Sequence, residues 1–348
     1  MSLRTIAKAL PCLLSCLLLL GGTVFAQETI GGKSYKYIWN LATIVPKGIG
    51  WGTQYEKIIV PAMEESFRGE VGLKIFWGGI QGDDPEVVTK LKEGKLEGAG
   101  FDGRGTVAAC KAFGVLTMPF LFRDFEEVDH IRDTMWPEFD KLMGKSGLAL
   151  CLWLDQDFDQ VYSSKAPLST PESFAGVRTA NWNGEVEKKV LEALGAVPVP
   201  VAVKDIAGVV NRGEATAVLC PAIWVVGTQL YSTFRFINPM HLRYCPATVV
   251  VTSKAWDVLP QEYRDTYLGK RAEVEKAMNA TIRRDNLKCL AGMKRYGVKV
   301  VEPTAEELAA FVAKTKPVYD AETGKLFPRE LLDTIQQKLA DYRKTKQQ

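Results

Sequence analysis

The sequence predicts an α/β protein built from two lobes. Its 348 residues suffice for two domains or one large one. Predicted strands and helices alternate in the first third of the chain, and a similar alternation returns after residue 148. Repeated β-α-β units of this kind form parallel sheets covered by helices.

The first unit contains three predicted strands and two helices. The strands are predicted at 35–44, 71–77 and 96–101, and the helices at 52–67 and 86–93. Acids and Pro85 in the first turn favour the start of the second helix, and Gly94 ends it. This order indicates a parallel sheet.

The second unit repeats the pattern. Its strands are predicted at 148–154, 160–164, 177–180, 197–201 and 217–220, and its helices at 185–194 and 203–212. Asp155, Asp157 and Asp159 lie between the first two strands, and we interpret them as acids of an exposed loop. A calcium site and a pair of catalytic carboxylates are the alternatives.

The rest of the chain is predicted to join the two units. The β-branched strand at 248–251 is expected to return to the first unit, and the polar residues 261–296 predict one long packing helix or two in line. An amphipathic helix follows at 331–344. The predicted boundaries are 27–151 for lobe I, with part of 241–258 returning to it, 152–240 for lobe II, and 259–348 for C-terminal helices packing across both. Hinges are expected near Cys151 and at 241–247.

Residues 1–26 have the pattern of a secretory signal peptide. Arg4 and Lys8 precede an apolar stretch, and Ala26 offers a small residue for cleavage. An uncleaved anchor and a lipid attached to Cys16 are the alternatives. The sequence therefore predicts an exported, periplasmic protein.

Composition excludes several function classes. Lys and Arg number 44 and Asp and Glu 41, so the net charge of +3 argues against binding to nucleic acid or anionic membrane. Two histidines leave little material for a histidine metal site or catalytic triad. No nucleotide-binding glycine motif or nucleophile elbow occurs. We predict no enzymatic activity, no cofactor and no metal.

Five cysteines follow the predicted signal, an odd number, so at least one thiol stays free. They are Cys110, Cys151, Cys220, Cys245 and Cys289. An oxidising compartment would allow one disulfide to form, but buried apolar thiols are the favoured interpretation. Two lobes, an export signal and no catalytic motif together predict a clamshell protein that closes around a ligand at the carboxyl ends of its strands.

Several motifs resemble the solute receptors of TRAP transporters over roughly residues 35–300. They are FWGGIQGD at 76–83, MPFLFRD at 118–124, LSTPESFAGVR at 168–178, LGAVPVP at 194–200 and WDVLP at 256–260. The resemblance implies a two-lobed periplasmic-binding-protein fold and a receptor that passes a small solute to membrane permease subunits. A monomer is expected, and a periplasmic helper protein is a further candidate partner.

Three departures from the family pattern concern the ligand site. Ala180 stands where the family has the arginine that binds the ligand carboxylate, with Arg178 two residues earlier. Leu219 and Cys220 replace an acid and an amide, and Asp159 replaces a basic residue. We therefore expect an apolar or aromatic ligand. An organic acid bound through Arg178 or Arg104 is the alternative, and a secreted enzyme or a structural envelope protein is the rival from another class.

The candidate ligand-binding residues lie at predicted strand ends in both lobes. They are Trp51, Phe101, Asp102, Arg104, Phe158, Asp159, Arg178, Ala180, Asn181, Trp182, Asn183, Leu219, Cys220 and Trp224.

Overall fold

One mixed sheet of nine strands runs through the protein, in a computed structural model that describes residues 29–346. The predicted signal at 1–26 lies outside the described residues. The strands are β1 (Thr29–Ile30), β2 (Lys33–Ser34), β3 (Tyr37–Thr43), β4 (Val71–Phe76), β5 (Gly98–Phe101), β6 (Leu148–Ser163), β7 (Arg178–Asn181), β8 (Val197–Pro200), β9 (Ala217–Cys220), β10 (Phe236–Thr252) and β11 (Lys299–Val300). β1 and β2 form a separate hairpin.

Helices cover the faces of the sheet. They are α1 (Trp51–Gln54), α2 (Val60–Ser66), α3 (Asp84–Lys92), α4 (Gly103–Ala109), α5 (Phe125–Lys145), α6 (Glu185–Ala193), α7 (Ile206–Asn211), α8 (Ala222–Gly227), α9 (Ser253–Asp257), α10 (Gln261–Tyr296), α11 (Ala305–Thr315), α12 (Pro317–Glu322) and α13 (Arg329–Thr345). A π-helical turn at Tyr55–Ile59 joins α1 to α2, so the helix predicted at 52–67 forms almost in full. None of the described helices combines the length and apolar character that a membrane crossing needs.

The strand order places the two predicted units at opposite ends of the sheet. It runs β4-β3-β5-β10-β6-β9-β7-β8, with β11 beside β10. The first lobe contains β3, β4 and β5, which are parallel, and the second contains β7, β8 and β9, also parallel. β10 is antiparallel to β5, with Thr248 opposite Phe101, so this strand returns to the first lobe as predicted. The predicted two-lobed α/β fold is confirmed.

β6 and β10 are long strands that pass from one lobe to the other. Their antiparallel pairing shifts register between Asn238 and Arg243, between Cys245 and Pro246, and again between Val249 and Val250. Bulges of this kind bend a pair of strands locally. The predicted hinge at 241–247 coincides with the first two shifts, while the lobe boundary at residue 151 stays a prediction.

The prediction of a loop around the three aspartates is wrong. β6 is one strand of 16 residues where two strands, at 148–154 and 160–164, were expected. Asp155, Asp157 and Asp159 are all buried. They are therefore not the solvated acids that the sequence suggested.

Arginines from distant parts of the chain allow two of these carboxylates, Asp155 and Asp159, to be buried. The Arg132 guanidinium of α5 pairs with Asp155, and Arg283 of α10 donates its Nε–H to Asp155 Oδ2 at 2.7 Å. Arg243 of β10 pairs with Asp159. A buried charge is tolerated when it is paired and hydrogen-bonded. Neighbouring residues in the sequence give no sign of these partners.

The long helix α10 packs against both lobes. Tyr267, near its start, stacks on Phe67 of the first lobe with ring centroids 5.5 Å apart. Met293, near its end, lies in the apolar cluster of the second lobe. The helix predicted at 261–296 forms at those residues as a single helix. In residues 29–346 all five cysteines are free, and four are buried.

Candidate functional site

A cavity of about 250 Å³ lies between the two lobes. Its walls come from the first lobe, the second lobe, the crossing strand β10 and the C-terminal region. The lining residues are Pro85, Gly103, Arg104, Val107, Ala108, Lys111, Thr117, Asn183, Gly184, Glu185, Val186, Arg243, Cys245 and Leu326. α4 follows β5 and Asn183 follows β7, so the cavity lies at the carboxyl ends of parallel strands, where α/β proteins place ligands.

Arg243 brings a buried cation to the cavity from β10. Its side chain is 2% exposed. Nε and Nη2 both donate to Asp159 Oδ2, at 3.0 and 2.6 Å, and Nη2 lies 4.0 Å from Glu187 Oε1. Within residues 29–346 no acceptor reaches its Nη1. Nη1 can therefore donate a hydrogen bond to another acceptor.

Glu187 holds the loop that follows β7. Its Oε2 accepts hydrogen bonds from Asn181 Nδ2 at 2.7 Å, from Trp182 N at 2.8 Å and from Asn183 N at 2.7 Å. Burial raises the pKa of Glu187 to about 7, and Asp159 adds to this rise, while Arg243 and the backbone donors oppose it. The carboxyl group therefore titrates near neutral pH.

Asn183 presents an unsatisfied amide at the cavity. The residue is 8% exposed and lines the cavity, and among the described residues neither Nδ2 nor Oδ1 has a hydrogen-bond partner. A buried amide without partners costs free energy, which a ligand carrying hydrogen-bonding groups would recover.

Two further cations face the cavity from the first lobe. Arg104 lies in the first turn of α4, and its side chain is about one-third exposed with Nη1 4.0 Å from Asp83 Oδ2. Lys111 begins the 3₁₀ segment Lys111–Thr117 and is exposed. Together with Arg243, these side chains surround the cavity with three positive charges.

Of the residues proposed from the sequence, Arg104 and Asn183 line this cavity. Most of the others are buried in the protein interior and do not line the cavity. The buried ones are Phe101, Asp102, Phe158, Asp159, Ala180, Asn181, Trp182, Leu219 and Cys220. Asp102 accepts a hydrogen bond from Gly105 N at 2.8 Å and so caps α4. Asp159 and Asn181 act indirectly, by contacting Arg243 and Glu187.

The tryptophans expected to contact ligand pack against protein instead. Trp182 and Trp224 stack with ring centroids 5.7 Å apart, and Trp182 Nε1 donates to Leu219 O at 2.8 Å. Trp51 packs against the apolar cluster of the first lobe. None of the three lines the cavity.

Arg178 is not among the residues that line this cavity. Its side chain is exposed, and Nε donates to the backbone oxygen of Glu214 at 2.6 Å. The first residue of β7 lies at the end of the strand remote from the cavity, whereas Asn183 follows the other end.

The aspartates of β6 are engaged by partners within the protein. Asp155 and Asp159 are occupied by arginines, and Asp157 Oδ1 accepts a hydrogen bond from Phe158 N at 2.6 Å. Among the described residues, no three His, Cys, Asp or Glu side chains converge to hold a metal ion.

Sequence reasoning missed Arg243, Lys111 and Glu187. One signal was present: Arg243 stands in a strand of otherwise mostly apolar residues, where a charged side chain needs a buried partner. Its position beside the cavity depends on the pairing of β10 with β6, with Arg243 opposite Asp159. The sequence does not show that register.

The family model of the bacterial extracellular solute-binding proteins, family 7, matches residues 42–325. The chain belongs to this family. The resemblance to TRAP solute receptors is therefore confirmed, and such receptors are periplasmic.

Individual relatives agree with this assignment. The chain is 25% identical over 293 residues to the C4-dicarboxylate-binding periplasmic protein DctP of Rhodobacter capsulatus, covering 82% of this chain and 85% of the relative. A TRAP periplasmic solute-binding protein from Roseobacter denitrificans with bound β-D-glucuronate has a TM-score of 0.79 and 21% identity, covering 86% of this chain and 99% of that one. The sugar acid binding protein DctPAm from Advenella mimigardefordensis, in complex with galactonate, has a TM-score of 0.80 and 18% identity, covering 88% and 99%.

Proposed function

We propose that this TRAP receptor captures a small organic acid in the cavity between its lobes and delivers it to membrane permease subunits. The observation that carries the proposal is the convergence of Arg104, Lys111 and Arg243 on one cavity. Guanidinium groups recognise carboxylates through charge-assisted hydrogen bonds. The similar C4-dicarboxylate-binding protein and the similar structures with bound glucuronate and galactonate support the same ligand class.

The apolar or aromatic ligand expected from the sequence has less support. That expectation relied on the loss of the arginine at Ala180 and on nearby tryptophans. Arg243 supplies a guanidinium from another strand, and Trp182 and Trp224 pack on each other. The apolar residues of the cavity, such as Val107 and Leu326, are suited to contact the carbon skeleton of an acid.

A binding role also fits the site better than catalysis. The acids considered for an enzyme, Asp155 to Asp159, are buried and none of them lines the cavity. We infer a receptor that closes on its ligand without converting it, because a ligand held by both lobes binds the closed state more tightly. Export through the signal at 1–26 and action as a monomer, with or without a helper protein, complete the proposal.

The ligand class is tested by binding measurements on the purified chain without residues 1–26. Melting temperature and calorimetry are followed with a panel of sugar acids, dicarboxylates and 2-keto acids that includes D-glucuronate, D-galactonate and succinate. D-glucose serves as the neutral match for glucuronate, and indole represents an aromatic ligand. We expect at least one acid to raise the melting temperature, with no effect of glucose or indole. Stabilisation by indole, or by none of the acids, would contradict the proposal.

Variants identify the cations involved. The double variant Arg104→Ala, Lys111→Ala is expected to weaken binding of the acid by about 100-fold or more, because each hydrogen bond to a charged group contributes roughly 1.5–3 kcal/mol. Arg178→Ala is the matched control, since it removes a guanidinium that lies away from the cavity. Equal affinities for the two variants would show that the acid binds elsewhere.

A further inference from the structure

The polar cluster behind the cavity contains more carboxylates than cations. Asp159 and Glu187 flank the single guanidinium of Arg243, at 2.6 and 4.0 Å from Nη2. All three side chains are at most 2% exposed. If the carboxylate of a ligand also binds Arg243, three carboxylates share this one buried guanidinium. Like charges at such short distances cannot all stay ionised at little cost.

We propose that Glu187 takes up a proton when the acid binds, so that ligand capture is linked to pH. This inference rests on the proposed function, because it requires an anionic ligand beside Arg243. The proton comes from solvent and adds to Glu187 Oε1, and no other bond is made or broken in the protein.

Geometry favours Glu187 over Asp159 as the proton acceptor. Asp159 Oδ2 receives two hydrogen bonds from Arg243, which stabilise its anionic form. Glu187 Oε1 and Asp159 Oδ1 are both buried without a hydrogen-bond donor among the described residues, but only Asp159 is in direct contact with the guanidinium, since Glu187 Oε1 lies 4.0 Å from Arg243 Nη2. A proton on Glu187 Oε1 therefore displaces no hydrogen bond and weakens a more distant ion pair. The three N–H groups that Glu187 accepts use the other oxygen, Oε2. The loop after β7 can therefore keep its hydrogen bonds in both protonation states.

The charged and titratable groups around Glu187 come from every neighbouring strand. Arg243 and Cys245 face it from β10, Asp159 from β6 and Cys220 from β9. Burial raises the pKa of both thiols well above the usual value, so they stay neutral. Across the cavity lie the cations Arg104 and Lys111, and Glu185 lines it beside Asn183. Among residues 29–346, Asp159 is thus the other buried carboxylate that shares Arg243 with Glu187.

The pKa of Glu187 without ligand places its proton uptake in a pH range that can be measured. Burial raises it to about 7 before any ligand is present. An added negative charge beside Arg243 raises it further, because it competes for the cation that stabilises the ionised form. By linkage, a group that gains a proton on binding makes the affinity fall as pH rises above its free-state pKa.

The test uses the chain without residues 1–26 and the probes D-glucuronate and D-galactonate, each titrated by calorimetry between pH 6 and 8.5. Two buffers with different ionisation enthalpies report the number of protons taken up. We expect proton uptake approaching one per ligand above pH 7 and an affinity that falls by up to about tenfold per pH unit there.

Glu187→Gln is the decisive variant. Its amide oxygen can accept the three N–H hydrogen bonds of Glu187 Oε2, so the loop is kept while the titrating group is lost. Binding to this variant is expected to show no proton uptake and little dependence on pH. Glu192→Gln, on the exposed face of the same helix, is the control and should keep the slope of the unmodified protein.

The outcomes separate the two proposals. Binding of either probe with no proton uptake, or with the same slope in Glu187→Gln, overturns the proton linkage and leaves the receptor function intact. Binding of no acid at any pH overturns the receptor proposal and the linkage together. Should Glu187→Gln fail to fold, the proton count of the unmodified protein in the two buffers decides.

Discussion

Ala180 and Arg243 are the two residues on which the proposed acid site depends. Ala180 is fully buried in the second lobe, where the family pattern places an arginine. Arg243, 63 positions later and on β10, lines the cavity, and none of residues 29–346 supplies an acceptor to its Nη1. In the proposed function, a guanidinium therefore reaches the cavity from β10 although β7 carries Ala180.

Asp157 combines an unusual backbone conformation with a buried carboxyl group. Its φ is 141°, in a region that favours glycine, and the residue is 5% exposed. Burial raises its pKa to about 8, with the Phe158 N–H opposing and the carboxylates of Asp155 and Asp159 adding to the rise. Because the pKa is higher in the folded than in the unfolded state, the stabilisation is present below pH 4 and is lost as pH rises to 8.

Asp157→Asn is predicted to reduce this pH dependence. Between pH 5 and 8 the unmodified protein should lose more unfolding free energy than the variant, by up to about 4 kcal/mol. Urea unfolding of both proteins at the two pH values measures the difference, and contributions of Glu187 and Glu275 cancel because both proteins contain them. The same loss in both proteins would show that Asp157 does not titrate in this range.

At the scale of elements, β6 depends on α10 for part of its backbone hydrogen bonding. In the first lobe β6 pairs with β10 on one side, and on the other side α10 supplies acceptors from its side chains. Trp153 N donates to Glu275 Oε1 at 2.6 Å, and Asp155 N donates to Asn279 Oδ1 at 2.9 Å. The helix thereby satisfies a strand edge that would otherwise be unpaired.

Asn279→Ala is predicted to destabilise the protein by about 1–3 kcal/mol, since the buried N–H of Asp155 loses its acceptor. Lys276→Ala changes an exposed side chain on the same helix and serves as the control. Chemical denaturation of both variants tests the expectation. Equal stability of the two would mean that another acceptor takes over the Asp155 N–H.

For the molecule as a whole, the last helix closes the fold by binding an early one. Arg343 of α13 donates from Nε and Nη2 to the two carboxylate oxygens of Glu127 in α5, each at 2.7 Å, and from Nη2 to Leu121 O at 3.0 Å. The Glu127 side chain is 4% exposed. A bidentate pair that is largely buried contributes more than an exposed one.

Arg343→Ala is predicted to lower the unfolding free energy by about 1–3 kcal/mol. The neighbouring pair Lys346 and Glu126 joins the same two helices with the same 2.7 Å separation, but both side chains are more than half exposed. Lys346→Ala should therefore leave the stability unchanged. Thermal unfolding of the two variants makes the comparison. A similar loss of stability in both would show that the burial of the Arg343–Glu127 pair does not make it more stabilising than the exposed pair.

The sequence by itself determined the β-α-β pattern of the two units, the family and the helical character of residues 261–296. Hydrophobic periodicity and breakers such as Gly94 and Gly195 are local signals, and the family motifs are short contiguous stretches. These signals can therefore be recognised before it is known which strands pair.

Only the tertiary structure decided which side chains surround the ligand cavity. The sequence predicted that Asp155 and Asp159 lie in an exposed loop. Their arginine partners are distant in the chain, at Arg132, Arg283 and Arg243. The cavity likewise combines side chains from both lobes and from β10, whose positions depend on strand register. Charge pairing across such distances is a property of the folded chain, since Coulomb interactions act through space and not along the sequence.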